Sequence, residues 1–227
     1  MLNFTSYDYS AILLSLKVAL TATLISLPFG FATAYLMTFK RFKARIILDI
    51  IVNLPLTLPP VVIGFLLLIL LGRQGPIGNI LFRMGIQIIF TWKAAVIATA
   101  VVGFPLMVRS IRTGMETIDK TLIDASRTLG AGRFDTIISI IAPLSLKGII
   151  AGSLLMFARA LGEFGATVIV AGNIPGVTQT IPLAIYEYTS SPGGDAMALM
   201  LCIISIVISV AVLVFHEWLA GRMERTD

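Results

Sequence analysis

Apolar residues in this chain are gathered into long runs rather than alternating or forming a single helical stripe. Five runs fall at about 11–37, 46–71, 94–107 with its flanks, 146–172 and 198–219. A bilayer core about 30 Å thick needs roughly 20 apolar residues in a helix. The pattern therefore predicts an all-α integral membrane protein with five transmembrane helices. Between the runs lie a basic hairpin, a loop over 72–93, a long polar segment over 109–147 and a stretch over 173–197.

Of the 227 residues, 57% are hydrophobic and 13% charged, which excludes an ordinary water-soluble domain. The net charge of +5 would suggest nucleic acid in a soluble protein, but here its distribution matters more. Lys40, Arg41, Lys43, Arg45, Arg109, Arg112, Lys120, Arg127, Arg133, Lys147, Arg222 and Arg225 fall on one side of a five-span arrangement. Arg73, Arg83 and Lys93 fall on the other. Because cytoplasmic loops hold the excess of Lys and Arg, the N-terminus is expected outside and the C-terminus in the cytoplasm. The first ten residues carry no Lys or Arg, so the first run is expected to be a permanent span rather than a cleaved leader.

Several chemistries lack their residues. The single Cys202 and single His216 give no zinc-type cluster and no nucleophile with a base. No glycine is followed directly by lysine, so there is no Walker loop for ATP.

The polar segment holds the most specific pattern. Thr113 to Gly130 reads as one helix, with Thr113 and Glu116 at capping-box spacing and Gly130 suited to the left-handed position after the last turn. Met115, Ile118, Leu122, Ala125 and Leu129 would line one face. After the Gly130-Ala131-Gly132 break, Phe134, Ile137, Ile138 and Ile141 repeat the stripe up to Pro143, making two short helices joined by an elbow. The apolar faces could pack on the protein's own cytoplasmic surface or the lipid interface, or they could dock a soluble subunit.

Asp124-Ala125-Ser126-Arg-Thr-Leu129-Gly130-Ala131, leading to Ile140-Ile-Ala-Pro143, resembles the E-A-A-x-x-x-G-x9-I-x-L-P signature of type I ABC importer permeases. Asp124 stands for Glu, keeping the charge, and Ala142 stands for Leu, removing bulk. The resemblance implies that a cytoplasmic loop over about 109–147 forms a coupling helix set into a separate ATP-binding subunit. Two further stretches are similar to molybdate ABC transporter permease subunits: Asn53 to Gly64, and Phe157 to Thr167 with Asn173-Ile-Pro-Gly176, Thr180-Ile-Pro182 and Pro192-Gly-Gly-Asp195. Sulfate and thiosulfate permeases share much of the second.

Pro55, Pro59 and Pro60 each remove a backbone donor, so the second span is expected to kink or unwind there. Such a break marks either a pathway or a packed structural kink, and Pro105 in the third span raises the same choice. Arg159 and Glu163 lie four apart inside the fourth span, on one face, where a lone charge is costly. They could attract and release an anion, or fix helix packing. Lys17 is expected to snorkel, Asp49 to pair with the basic hairpin, and His216, Glu217, Trp92 and Trp218 to sit at span ends. Gly152, Gly162, Gly165 and Gly172 allow close helix approach in the fourth span.

The resemblance implies a single permease domain over 1–227, with its core at about 11–219, in the bacterial inner membrane. It further implies a homodimer with two ABC ATP-binding subunits, which use ATP and Mg, and a periplasmic molybdate-binding protein. No cofactor in this chain and no nucleic-acid partner are expected. Alternatives are a sulfate, thiosulfate or tungstate permease, a secondary transporter or channel, and an integral membrane enzyme.

Overall fold

Thr5 starts the first helix through a reciprocal cap. Its hydroxyl accepts the Asp8 amide, and the Asp8 carboxylate accepts the Thr5 amide at 2.7 Å. Helix α1 then runs Ser6–Phe39, 34 residues or about 51 Å. The structure is a computed structural model that describes residues 4–40 and 42–224, without the side chains of His216, Leu219, Ala220, Met223 and Glu224. Arg41, Arg225 and the His216 side chain, placed above on sequence grounds, lie outside the described residues.

The remaining long elements are α2 (Arg45–Thr57), α3 (Pro60–Leu71), α5 (Trp92–Glu116), α9 (Leu146–Leu161), α10 (Gly165–Ala171) and α12 (Asp195–Glu224). Shorter helices are α4 (Pro76–Arg83), α6 (Lys120–Thr128), α7 (Arg133–Thr136), α8 (Ala142–Leu144) and α11 (Ile181–Thr189), with a π-helical turn over Ile137–Ile141 between α7 and α8. Among the described residues there is no strand.

Helix α5 is the centre of the bundle, packed on α1 and α9. Its contact with α1 uses small residues: Ala22 and Ala34 of α1 share one buried cluster with residues of α5, and a Cβ on Gly30 would lie 2.9 Å from the Met107 sulfur. Ala94, Ala95, Ala98 and Gly103 are buried on α5. In a membrane such small residues let backbones close on one another, since apolar side chains gain nothing by leaving lipid. The α5–α9 seam is tighter. A Cβ on Gly148 would lie 2.8 Å from the Ser110 carbonyl oxygen and 3.0 Å from the Gly114 Cα. The Ser110 hydroxyl donates to the Gly148 carbonyl at 3.1 Å across the same crossing. Gly148→Val is expected to destabilise the chain by about 1–3 kcal/mol, because the atoms it meets are backbone and cannot turn aside. Thermal unfolding of the detergent-purified chain measures this; an unchanged melting temperature would contradict the seam.

Three helices are individually long and apolar enough to span: α1, α5 and α12 over Asp195–Phe215. Two bent pairs, α2 with α3 and Arg133–Leu144 with α9, bring the number to five if each is one span. Leu199, Ile203, Ile206, Val210 and Leu213 on α12 are exposed, as lipid-facing residues are.

The second apolar run breaks at Pro59–Pro60 as expected, where α2 and α3 meet at 116°. Leu58 and Pro59, each followed by proline, are extended at ψ 144° and 135°, because a following proline ring pushes a residue out of the helical region. Several expectations are corrected in detail. Pro55 and Pro105 stay inside continuous helices. The fourth run stops at Leu161 and resumes as α10, and a 69° bend at Ser145 precedes it. Thr113 does not open a helix; it lies in α5, and the next helix begins after Asp119.

Candidate functional site

The polar segment folds into an elbow at one end of the bundle. Asp119 caps α6 by accepting the Thr121 amide at 2.9 Å. At its other end Gly130 has φ +91°, and the Gly130 amide donates to the Arg127 carbonyl while the Ala131 amide donates to the Ser126 carbonyl. This is the Schellman pair of bonds, with glycine at the left-handed position. The Ser126 and Thr136 hydroxyls, 3.2 Å apart, tie α6 to α7.

Because the chain breaks at 117–119, the expected stripe does not continue across the break. Met115 and Ile118 are buried with Ile123, whereas Leu122 is exposed and Leu129 is 89% exposed. Phe134 and Ile138 are exposed beside it. Asp124, Ala125 and Pro143 are exposed, Ser126, Ala131 and Ile140 are half-buried, and all lie on or beside the elbow. The structure thus brings the signature residues together and leaves its largest apolar side chains without cover among the described residues.

The amide bond from Thr121, and then its side chain, hold the Asp119 carboxyl below the usual carboxylate range. A depressed native pKa means that Asp119 stabilises α6 above the ordinary carboxylate range, and that this contribution is lost as pH falls through the native value. Amide-exchange protection of Thr121 is expected to hold through the ordinary carboxylate range and to drop as pH falls below it. In Asp119→Asn, which caps without titrating, it should not.

The second cluster is where the two broken helices meet. A Cβ on Gly64 would lie 2.8 Å from the Ala166 carbonyl oxygen, and one on Gly165 would lie 3.0 Å from the Pro60 Cβ. The Pro59-Pro60 break and the start of α10 are therefore in backbone contact. Arg159 and Glu163 sit just before that start, paired at 2.7 Å. Glu163 is 2% exposed at its side chain and Arg159 32%. The other Glu163 oxygen accepts the Ala166 amide at 2.8 Å, so one carboxylate both caps α10 and holds the arginine. Arg159 keeps donors that Glu163 does not use, which an anion could accept.

One further charge, Asp49, departs from the sequence reading. Among the described residues Asp49 pairs with Arg112 of α5 at 3.5 Å and not with Lys40, Lys43 or Arg45 of the basic hairpin, and Arg112 also bonds Glu116 at 2.7 Å. The Lys17 amine lies 4.0 Å from the centre of the Trp92 ring, a cation–π contact at the start of α5. The stretch 173–197 is anchored rather than loose. The Tyr188 hydroxyl donates to buried Asp8 at 2.8 Å, and the Ile181 amide donates to Ser15 at 2.8 Å. Burial, and then the bond to Asp8, raise the Tyr188 phenol above its ordinary range. Pro182 in the first turn of α11 is a start signal carried by the sequence, which holds no sign of the partners that α11 meets. Among the described residues no group of three His, Cys, Asp or Glu side chains is placed to hold a metal.

A helical bundle of this architecture, with a two-armed elbow at one end, is that of an ABC importer's membrane subunit. The backbone matches a bacterial alginate ABC transporter in complex with an alginate pentasaccharide-bound periplasmic protein. The TM-score is 0.77 at 17% identity, over 96% of this chain and 80% of that one. It also matches the inward-facing MetNI methionine ABC transporter, with a TM-score of 0.70 at 16% identity, over 96% and 99%. The chain belongs to the family of binding-protein-dependent transport system inner membrane components, whose model matches residues 26–225. It is 51% identical over 217 residues to the molybdenum transport system permease protein ModB of Escherichia coli K12, covering 95% of each chain. It is 47% identical to the protein of that name from Haemophilus influenzae, covering 96% of each. The putative molybdenum transport system permease YvgM of Bacillus subtilis is 42% identical, covering 92% of each. The chain is thus a multi-pass membrane permease subunit of an ABC importer.

Proposed function

We propose that this chain translocates molybdate across the bacterial inner membrane as the permease subunit of an ATP-driven importer. The observation that carries the substrate is the 51% identity with the Escherichia coli molybdenum permease, which runs the length of both chains. The working assembly is a homodimer with two ATP-binding subunits on the cytoplasmic side and a periplasmic molybdate-binding protein outside. ATP and Mg are used by the partners, and five spans with the N-terminus outside carry the excess of cationic residues into the cytoplasm.

The elbow at Asp124 to Ala131 docks the ATPase through Leu129, Phe134 and Ile138, with Ile140 and Pro143 at its far arm. ATP-driven closure moves the elbow, and the motion enters α5 and α9 directly because the elbow is the connection between them. Helix α9 passes it to α10, and α10 to α3 through the Gly64–Ala166 contact. The seam of Pro55, Pro59, Pro60, Arg159 and Glu163 is then the moving part of the path, opening outward to accept the ion and inward to release it. Positive charge at Arg159 attracts the dianion, and Glu163 limits how tightly it is held.

Vesicles containing this chain, its ATPase and its binding protein are expected to take up radiolabelled molybdate only with ATP, with excess sulfate a weak competitor. ATP-dependent uptake of sulfate in its place would keep the coupling scheme and replace the substrate. Uptake without ATP or partners would overturn both.

A further inference from the structure

A cavity of about 220 Å³ lies between α1, α2 and α5 at the elbow end of the bundle, lined by Asp49, Asn53, Arg109 and Arg112 with Met37 and Val108. Arg109 also lines the adjoining groove between α5 and α9. Arg109, an exposed residue, therefore lines both a partly enclosed cavity and an open groove. Arg112 is engaged by Asp49 and Glu116, whereas Arg109, one turn earlier, has no carboxylate within ion-pair distance among the described residues. The Asn53 amide donates to the Asp49 backbone carbonyl at 2.8 Å and to its carboxylate at 3.3 Å, which holds that carboxylate in place.

The depth of this cluster is set by helix geometry. Arg109 is 17 residues from Trp92, about 25 Å along α5, near the far edge of a ~30 Å bilayer core. Ser110 meets Gly148 at the α5–α9 crossing, and Arg159 lies 11 residues beyond Gly148, roughly 16 Å higher. The two arginine levels are thus successive rather than shared.

We propose that the Arg109–Arg112 cavity is an exit station that takes the tetrahedral oxyanion dianion after it leaves the Arg159 level. Arg109 supplies unpaired charge and fork-shaped donors suited to an oxyanion edge. The volume equals about seven water molecules at ~30 Å³ each, which accommodates one such ion with part of its hydration shell. Asp49 beside the arginines weakens the hold, as release requires: a conducting site must bind well enough to be entered and weakly enough to be left. The open groove on the other side of Arg109 gives the ion its way out.

This inference rests on the oxyanion-import reading, and its test separates the two. The complex of this chain with its ATPase, purified without binding protein, is dialysed against radiolabelled molybdate. Saturable binding at one ion per copy of this chain is expected, with the Kd raised at least tenfold in Arg109→Gln and unchanged in Lys93→Gln. In the wild-type complex, molybdate is expected to slow phenylglyoxal modification of Arg109, a measurement that needs no substitution. In vesicles, Arg109→Gln is expected to lower the uptake rate about fivefold while ATP hydrolysis stimulated by loaded binding protein stays unchanged. No saturable binding to wild type, or equal Kd values for wild type and Arg109→Gln, overturns the station. So does Arg109-dependent binding of phosphatidylglycerol in place of molybdate, which would make the cavity a lipid-headgroup site. If the wild type takes up no oxyanion at all, the import reading fails; if wild type and Arg109→Gln take it up equally, only the station does.

Discussion

Glu163→Ala is expected to abolish uptake and to lower the stability of the chain by about 3 kcal/mol. Removing one member of a buried ion pair leaves the other uncompensated, at a cost of about 3–5 kcal/mol, and the partial exposure of Arg159 places the value at the lower end. The same substitution removes the acceptor for the Ala166 amide at the start of α10, where that helix touches Pro60 and Gly64 of the other broken helix. Glu163→Gln keeps an oxygen for that amide while removing the charge, so it is expected to lose the ion-pair share of that stability and to retain the share due to the capping bond. Comparing uptake in the two variants, with thermal unfolding as the control, separates the charge of Glu163 from its capping bond. Wild-type melting and uptake in Glu163→Ala would show that the pair contributes to neither.

Leu129→Asp is expected to eliminate ATP-driven uptake while leaving insertion and thermal unfolding unchanged. Its side chain is 89% exposed, so the fold loses almost nothing when it becomes polar. A docked ATPase would bury it, and apolar anchors at the centre of an interface are worth about 2 kcal/mol or more, a roughly 30-fold or greater loss of association. Co-purification of the ATPase with the tagged chain reads this directly. Gly130→Asp attacks the same elbow from its backbone, since a side chain at φ +91° costs about 1–2 kcal/mol. Full co-purification and transport in both variants would remove the elbow from the docking surface.

What could be read from the sequence was what local chemistry decides. The apolar runs gave the helices their membrane character, Gly130 its left-handed turn, and Pro59-Pro60 a break, because each follows from a residue and its nearest neighbours. The spacing of Arg159 and Glu163 was likewise enough to bring them together. What failed depended on distant parts of the chain. Thr113 and Glu116 have capping-box spacing, yet α5 continues through Thr113 and ends at Glu116, because its face there is buried: Ile111 and Met115 are enclosed in the core. Asp49 has cationic neighbours in sequence, but α2 lies along α5 and delivers it to Arg112, 63 residues away. The glycines around Glu163 read as packing residues. Only the structure shows that a helix ends at Leu161, that Glu163 caps the next one, and that Gly165 meets Pro60.

The connections at the root of the elbow are very short. Three residues separate α5 from α6, and Ser145 alone stands between α8 and α9. The Gly114–Gly148 contact clamps the two roots together immediately beside them. With little slack in either arm, the proposed coupling would tie the elbow to the α3–α10 seam, and any free energy of that coupling would act in both directions. In the proposed assembly, an event that favours one arrangement of the seam, such as a loaded binding protein arriving outside, would then favour one nucleotide state of the ATPase by the same amount. In that sense the chain is a two-ended balance, set as firmly by what waits outside as by what burns ATP within.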